Sequence, residues 1–332
     1  MHSTPLSLTM MAPEEYYTFT GGVGEEIARH ITHVLIDKAL KFVPARAFLR
    51  HPNIVEVVCH DGVKKIEEFA FYHCPSLRRV IMPGVKVLET KAFDRCIALT
   101  YIECGKLEII GEGSFGSCYS LSSIDLPSIK IVKRAAFSCC INLSNVEFGK
   151  DLETIGRMAL FACKSLERIT LPLKEDLISL DSTFQRCDRL HLVDLVGGVH
   201  ETVAALLMEE WKHEMNEEIE NVSQILPLAP GGNAQWDFGE KAQAIRKWIR
   251  SVLRKYTHYK AEHRRYVNEA AATLKLTLPH DILFENILPF VELPSDTSEE
   301  SSKASQIDID ASTPTPTLFS SITASRPRSC SW

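Results

Sequence analysis

A chain of 332 residues, 45% hydrophobic and 24% charged, can bury a sizeable core in one to three domains. Its formal charge of −6 is spread thinly: residues 31–199 carry 22 basic and 20 acidic side chains, and the stretches on either side are mildly acidic. No stretch has the basic excess of a dedicated nucleic-acid-binding domain, and no window approaches the roughly 18 apolar residues of a membrane span.

Residues 1–30 form an N-terminal segment predicted to be partly disordered. Arg29 is its first base, so no basic n-region precedes the short apolar patch of Leu6, Leu8, Met10 and Met11. That pattern predicts no signal peptide, and the expected location is cytosol or nucleus. Ten cysteines in a chain of this size are then expected as free thiols and not as a disulfide framework.

Residues 31–198 repeat. Phe48, Phe71, Phe93, Phe115, Phe137, Leu160 and Phe184 recur every 22 to 24 residues. Three residues beyond each anchor stand His51, Cys74, Cys96, Cys118, Cys140, Cys163 and Cys187. Six beyond stand Ile54 and then a leucine in every copy. Val or Ile stands nine beyond, and Cys59, Met82, Cys104, Leu126, Phe148, Leu171 and Leu195 stand eleven beyond. The Leu-x-x-Val/Ile-x-Leu core predicts a short strand whose alternate residues point inward. One copy cannot bury them alone, so neighbours must stack as coils with parallel strands in a wall and the Phe rings as an interior column.

The fuller pattern, Ile-Gly-Glu-Gly-Ser-Phe-Gly-Ser-Cys-Tyr-Ser-Leu-Ser-Ser-Ile-Asp-Leu-Pro at residues 110–127, resembles the BspA-like, or Treponema-type, leucine-rich repeat family. The resemblance covers about half the chain. It implies an α/β solenoid, a right-handed coil with parallel strands, and a role in protein recognition or adhesion.

The cysteines fall in repeat columns, which predicts small apolar fillers inside the coil. There is no Cys-x-x-Cys pair and no His-Glu-x-x-His motif, so no metal or cofactor is expected. A phosphate loop, a nucleophile elbow and a dinucleotide fingerprint are also lacking, so no catalytic residues are assigned. A binding face is predicted on the outward strand positions. Ten residues past the anchor stand Val58, Ile81, Glu103, Asp125, Glu147, Thr170 and Asp194, so three successive coils align carboxylates. Like charges across neighbouring strands are unfavourable, and the column is either neutralised locally or kept for a basic partner. Eight past the anchor stand Glu56, Arg79, Tyr101, Ser123, Asn145, Arg168 and Leu192, of which Arg79, Tyr101 and Arg168 are residue types enriched at binding hot spots.

Residues 199–292 lose the period and gain helical spacing. Val203, Leu207, Trp211, Met215, Ile219 and Val222 predict one amphipathic helix over 201–222 with an acidic outer face. After the Pro227, Pro230 and Gly231-Gly232 break, a second and basic helix is predicted over 240–274 on Ile245, Trp248, Ile249, Val252, Tyr256, Tyr259 and Val267. The pair is expected to pack antiparallel and close the solenoid, although a basic amphipathic helix also suits a membrane surface or a partner protein. Residues 278–290 faintly resemble the opening of an F-box, which would imply a ubiquitin-ligase adaptor. Residues 293–332 are rich in Ser, Thr and Pro and predict a disordered tail. The sequence thus reads as a non-enzymatic module that binds another protein.

Overall fold

A computed structural model of the chain describes residues 16–22, 27–222, 226, 239–275, 291 and 293. The F-box-like segment lies outside the described residues, as does the Ser/Thr/Pro tail apart from Leu293.

The predicted coils are present, and each contributes a strand to two parallel walls. The first wall holds β1 (Tyr17–Phe19), β2 (His33–Ile36), β4 (Glu56–Val58), β6 (Arg79–Ile81) and β8 (Tyr101–Glu103) as one sheet. A second sheet continues it with β10 (Ser123–Leu126), β12 (Asn145–Phe148), β14 (Arg168–Pro172) and β15 (Leu192–Val196). The second wall is one unbroken sheet of β3 (Phe42–Val43), β5 (Lys65–Ile66), β7 (Val87–Leu88), β9 (Ile109–Ile110), β11 (Ile131–Val132) and β13 (Thr154–Ile155). The solenoid starts earlier than the Phe period does. Tyr17 pairs with Val34, and His33 with Glu56, so two rungs precede the first anchored coil.

The inward columns are buried as the spacing requires. Leu77, Leu99, Leu121, Leu143 and Leu166 are fully covered, as are Ile66, Leu88, Ile110 and Ile155 on the second wall. The anchors sit at the corner that follows the second wall. From Phe48 to Phe137 neighbouring ring centroids stand 4.8–5.6 Å apart with planes within 12° of parallel. The coil spacing of about 4.8 Å imposes that near-parallel stack, which offset rings accommodate.

The backbone at this corner is unusual. From Phe48 to Leu160, residues two before and two after each anchor adopt left-handed conformations, including Lys91 (φ 54°), Arg95 (φ 64°), Ser117 (φ 54°) and Ala135 (φ 54°). Each such non-glycine residue costs about 1 kcal/mol. What holds them is a hydrogen-bond ladder to the next coil. Phe93 N–H donates to Ser114 (2.8 Å), Arg95 N–H to Gly116 (2.7 Å) and Phe115 N–H to Ala136 (2.8 Å), and the pattern repeats along the stack. Small residues at the position before the anchor, Ala70, Ala92, Ser114, Ala136 and Ala159, fit between these turns and are buried.

The cysteine column does more than fill space. Each thiol donates to the anchor carbonyl of the preceding coil: Cys74 to Phe48 (3.0 Å), Cys96 to Phe71 (3.1 Å), Cys118 to Phe93 (3.3 Å) and Cys140 to Phe115 (3.0 Å). Cys163 and Cys187 repeat the contact on Phe137 and Leu160. Burial pushes the Cys140 thiol up to about 12, so it stays protonated and keeps its donor.

The helical region closes the far end. In place of one helix over 201–222 there are two, α1 (Val199–Ala204) and α2 (Glu209–Glu220). Val203 and Leu206 face the core, whereas Leu207 and Met208 lie in the turn between the helices and are exposed, so Leu207 does not belong to the buried stripe. The basic helix α3 (Glu240–Lys275) runs antiparallel to α2. Its Trp248 donates Nε1–H to the Glu218 carbonyl (2.9 Å), its Lys255 pairs with Glu218 (2.9 Å), and Tyr259 stacks on Trp211 at 5.5 Å. Arg246 pairs with Asp181 in the short 3-10 helix Asp181–Phe184, and Arg250 with Glu175 (3.3 Å). The decisive contact is Lys241. Its buried ammonium donates to the carbonyls of Cys187 (2.6 Å), Asp188 (3.2 Å) and Leu190 (3.1 Å) at the open end of the last coil. Lys241→Met should therefore lower the unfolding free energy by about 1–3 kcal/mol, because it strands buried acceptors. Urea denaturation checks this, and an unchanged midpoint would show that Lys241 is not the plug.

Candidate recognition face

The outer side of the first wall carries the sequence-predicted residues, and the strand register shows which of them meet. Glu56 lies opposite Arg79, and Arg79 opposite Tyr101. Ser123 lies opposite Asn145, and Asn145 opposite Arg168. Ten past the anchor, Ile81 lies opposite Glu103, Asp125 opposite Glu147, and Glu147 opposite Thr170.

The two arginines are held by acids of their own wall. Arg79 Nε lies 2.9 Å from Glu56, whose other oxygen accepts from the Tyr16 hydroxyl at 2.6 Å. The Arg79 guanidinium then covers the Tyr101 ring at 4.6 Å from its centroid, while 46% of Tyr101 stays exposed. At the other end Arg168 Nε donates to Asp194, which holds the guanidinium above its ordinary pKa. Sequence spacing placed both arginines and both acids on the outward columns but did not pair them.

Between them the three carboxylates behave differently from one another. Glu147 accepts from Asn145 Nδ2 at 2.8 Å. Glu103 and Asp125 face one another across the one place where the first wall parts, since β8 and β10 are not paired. The column predicted to be continuous is therefore a pair plus one, with a seam between. Among the described residues no side-chain donor bonds the Glu103 or Asp125 carboxylate, whereas Asn145 donates to Glu147. Among the described residues none of the three makes an ion pair within 4.0 Å. Burial, and secondarily the charge of Glu147, holds the Asp125 carboxyl above the ordinary carboxylate range.

The model of the BspA type leucine-rich repeat region matches six copies across residues 28–137 and 108–203, more than half the chain. The chain belongs to the BspA-type leucine-rich repeat family. Among solved structures, a leucine-rich repeat protein of Treponema pallidum is 28% identical over 44% of this chain and 75% of its own, with a TM-score of 0.39. One from Bacteroides ovatus is 22% identical over 51% and 62%, with a TM-score of 0.34. The pneumococcal vaccine antigen PcpA is 14% identical over 55% and 66%, with a TM-score of 0.30. No curated protein matches the chain.

A second exposed column went unnoticed in the spacing. Four residues past the anchor, Ile97, Tyr119 and Ile141 stand on successive coils, each about two-fifths exposed. The signal was present in the alignment, but apolar residues of a repeat read as core until the structure turns them outward.

The electrostatic reading of Asp125 is testable by carboxyl NMR titration. Asp125 should titrate above an ordinary aspartate. Glu147→Gln should bring its midpoint down part of the way, because burial, the larger cause, remains. A midpoint in the ordinary range, or one unmoved by the substitution, would contradict it.

Proposed function

We propose that the chain is a non-catalytic recognition module that takes a protein partner on the outer face of its first strand wall, across Arg79, Tyr101, Glu103, Asp125, Asn145, Glu147 and Arg168. The observation that carries this reading is the half-exposed Tyr101 ring held under Arg79 beside carboxylates that, among the described residues, make no ion pair within 4.0 Å. Tyr and Arg anchor interfaces because they offer large contact area and directed donors. Here they are preorganised by Glu56 and Tyr16, which reduces the side-chain entropy lost on binding. The chemistry of the face favours binding over turnover. Its titratable groups stand in rows, one per coil, along a sheet, whereas catalysis needs several groups converging on one reacting atom.

The reading is tested by placing a photo-crosslinking amino acid at position 101 in the native cell, and separately at position 109 on the second wall. Tyr101 substitution should yield a discrete protein adduct that disappears with Glu103→Gln, Asp125→Asn and Glu147→Gln combined, and position 109 should yield none. An adduct from position 109 alone would move the site to the other wall.

A further inference from the structure

The rows flanking the recognition face are electrically closed, while the three central coils are not. In residues 97–103, 119–125 and 141–147 there is no Lys, Arg or His, and each stretch holds a single acid at the same place, Glu103, Asp125 and Glu147. At the other edge of the same three stretches stand the exposed apolar side chains Ile97, Tyr119 and Ile141. The floor between the two rows is largely small and polar, with serines in the middle coil at 120, 122 and 123. Such a floor allows another backbone to approach closely.

From this juxtaposition we propose that the central three coils seat a basic amphipathic helix of a partner protein, lying along the solenoid axis with its apolar stripe on the Ile97 row and its Lys/Arg stripe on the Glu103 row. The proposal rests on the strand-face reading above and names the chemistry of its partner. The spacing favours a helix. Three neighbouring strands place the first and third members of a row about 9.6 Å apart. Helix positions i and i+7 lie about 10.5 Å apart, with i+3 or i+4 between them, so one stripe of a two-turn helix can meet all three coils. The floor is at most about 20 Å from row to row along the coil, and turns shorten it, which suits a helix of about 10–12 Å diameter with its side chains reaching both edges. The charge favours a cationic stripe. Arg79 and Arg168 are engaged by Glu56 and Asp194, and among the described residues the central acids have no counter-ion within ion-pair distance. Arrival of Lys or Arg also relieves the repulsion between Asp125 and Glu147, which lie opposite one another on β10 and β12.

The test uses the full chain and a hydrocarbon-stapled helical peptide bearing Lys at i, i+4 and i+7 with Leu on the adjoining stripe, followed by fluorescence anisotropy. Two controls carry the same composition in scrambled order and the same stripe with Glu in place of Lys. The patterned peptide should bind, the scrambled one should bind about tenfold more weakly, and the Glu peptide should not bind. Two sets of exposed-residue variants separate the rows. Glu103→Gln with Asp125→Asn and Glu147→Gln should lose about tenfold and most of the salt dependence. Ile97→Ser with Tyr119→Ser and Ile141→Ser should lose about tenfold and keep it. Unchanged melting of each variant shows that the fold is intact. Equal binding of patterned and scrambled peptides, or indifference to either variant set, overturns the proposal. If position 101 crosslinks a partner while the peptide fails, only the helix chemistry falls. If neither reports, the strand-face reading falls with it.

Discussion

Everything in this molecule depends on the hydrogen-bond ladder at the Phe corner. A coil of about 22 residues has too little interior to bury its own leucines, so its stability is borrowed from its neighbours. The corner is where that borrowing is directional. Left-handed residues on both sides of the anchors from Phe48 to Leu160 turn alternate N–H groups toward the next coil, and the anchor carbonyl in turn accepts a hydrogen bond from the next coil's cysteine thiol. Strain at two positions per coil persists because the ladder and the ring stack over-determine it. A run of identical coils built this way must end badly, with open carbonyls and an uncovered core. Lys241, Trp248 and the α2–α3 pair meet that need at one end.

Function follows from what the corner leaves undecided. With the interior fixed by the Phe, Leu and Cys columns, the outward strand positions are free to vary from coil to coil. They have been filled unevenly. The flanking coils pair their charges, Arg79 with Glu56 and Arg168 with Asp194, while the central coils keep acids along one row and exposed apolar residues along another. The first wall parts within that same central region, between β8 and β10, where the corner and the second wall remain continuous.

Much of this was legible in the sequence. The large apolar columns announce themselves by recurrence, and every leucine of the repeat columns is buried, whereas Leu207 of the helical stripe is exposed. What escaped has physical reasons. Ala70, Ala92 and Ala136 are small and carry little hydropathy signal, although they make room for the corner turns. The left-handed positions hold Arg, Lys, Phe and Ala in place of glycine, so no residue type marks them. The two rungs before Phe48 lack an anchor and therefore a period. Lys241 reads as one more base on a basic helix, because nothing local shows that it points into the last coil. The helix predicted over 201–222 divides because Val203 and Leu206 serve the solenoid end while Met215 and Ile219 face the core from α2, beside α3. On the outer face of the first wall, spacing placed the outward residues but did not pair Arg79 with Glu56 or Arg168 with Asp194, nor reveal the seam that separates Glu103 from Asp125.

Amide hydrogen exchange on the intact chain tests the central claim most directly, since it reads each rung separately. The account predicts that the corner amides of Phe93, Arg95, Phe115 and Ser117 exchange slowest, near the rate of global unfolding. The Ser122 and Ser123 amides at the β8–β10 seam should exchange much faster. Seam amides as protected as those of the corner would contradict it.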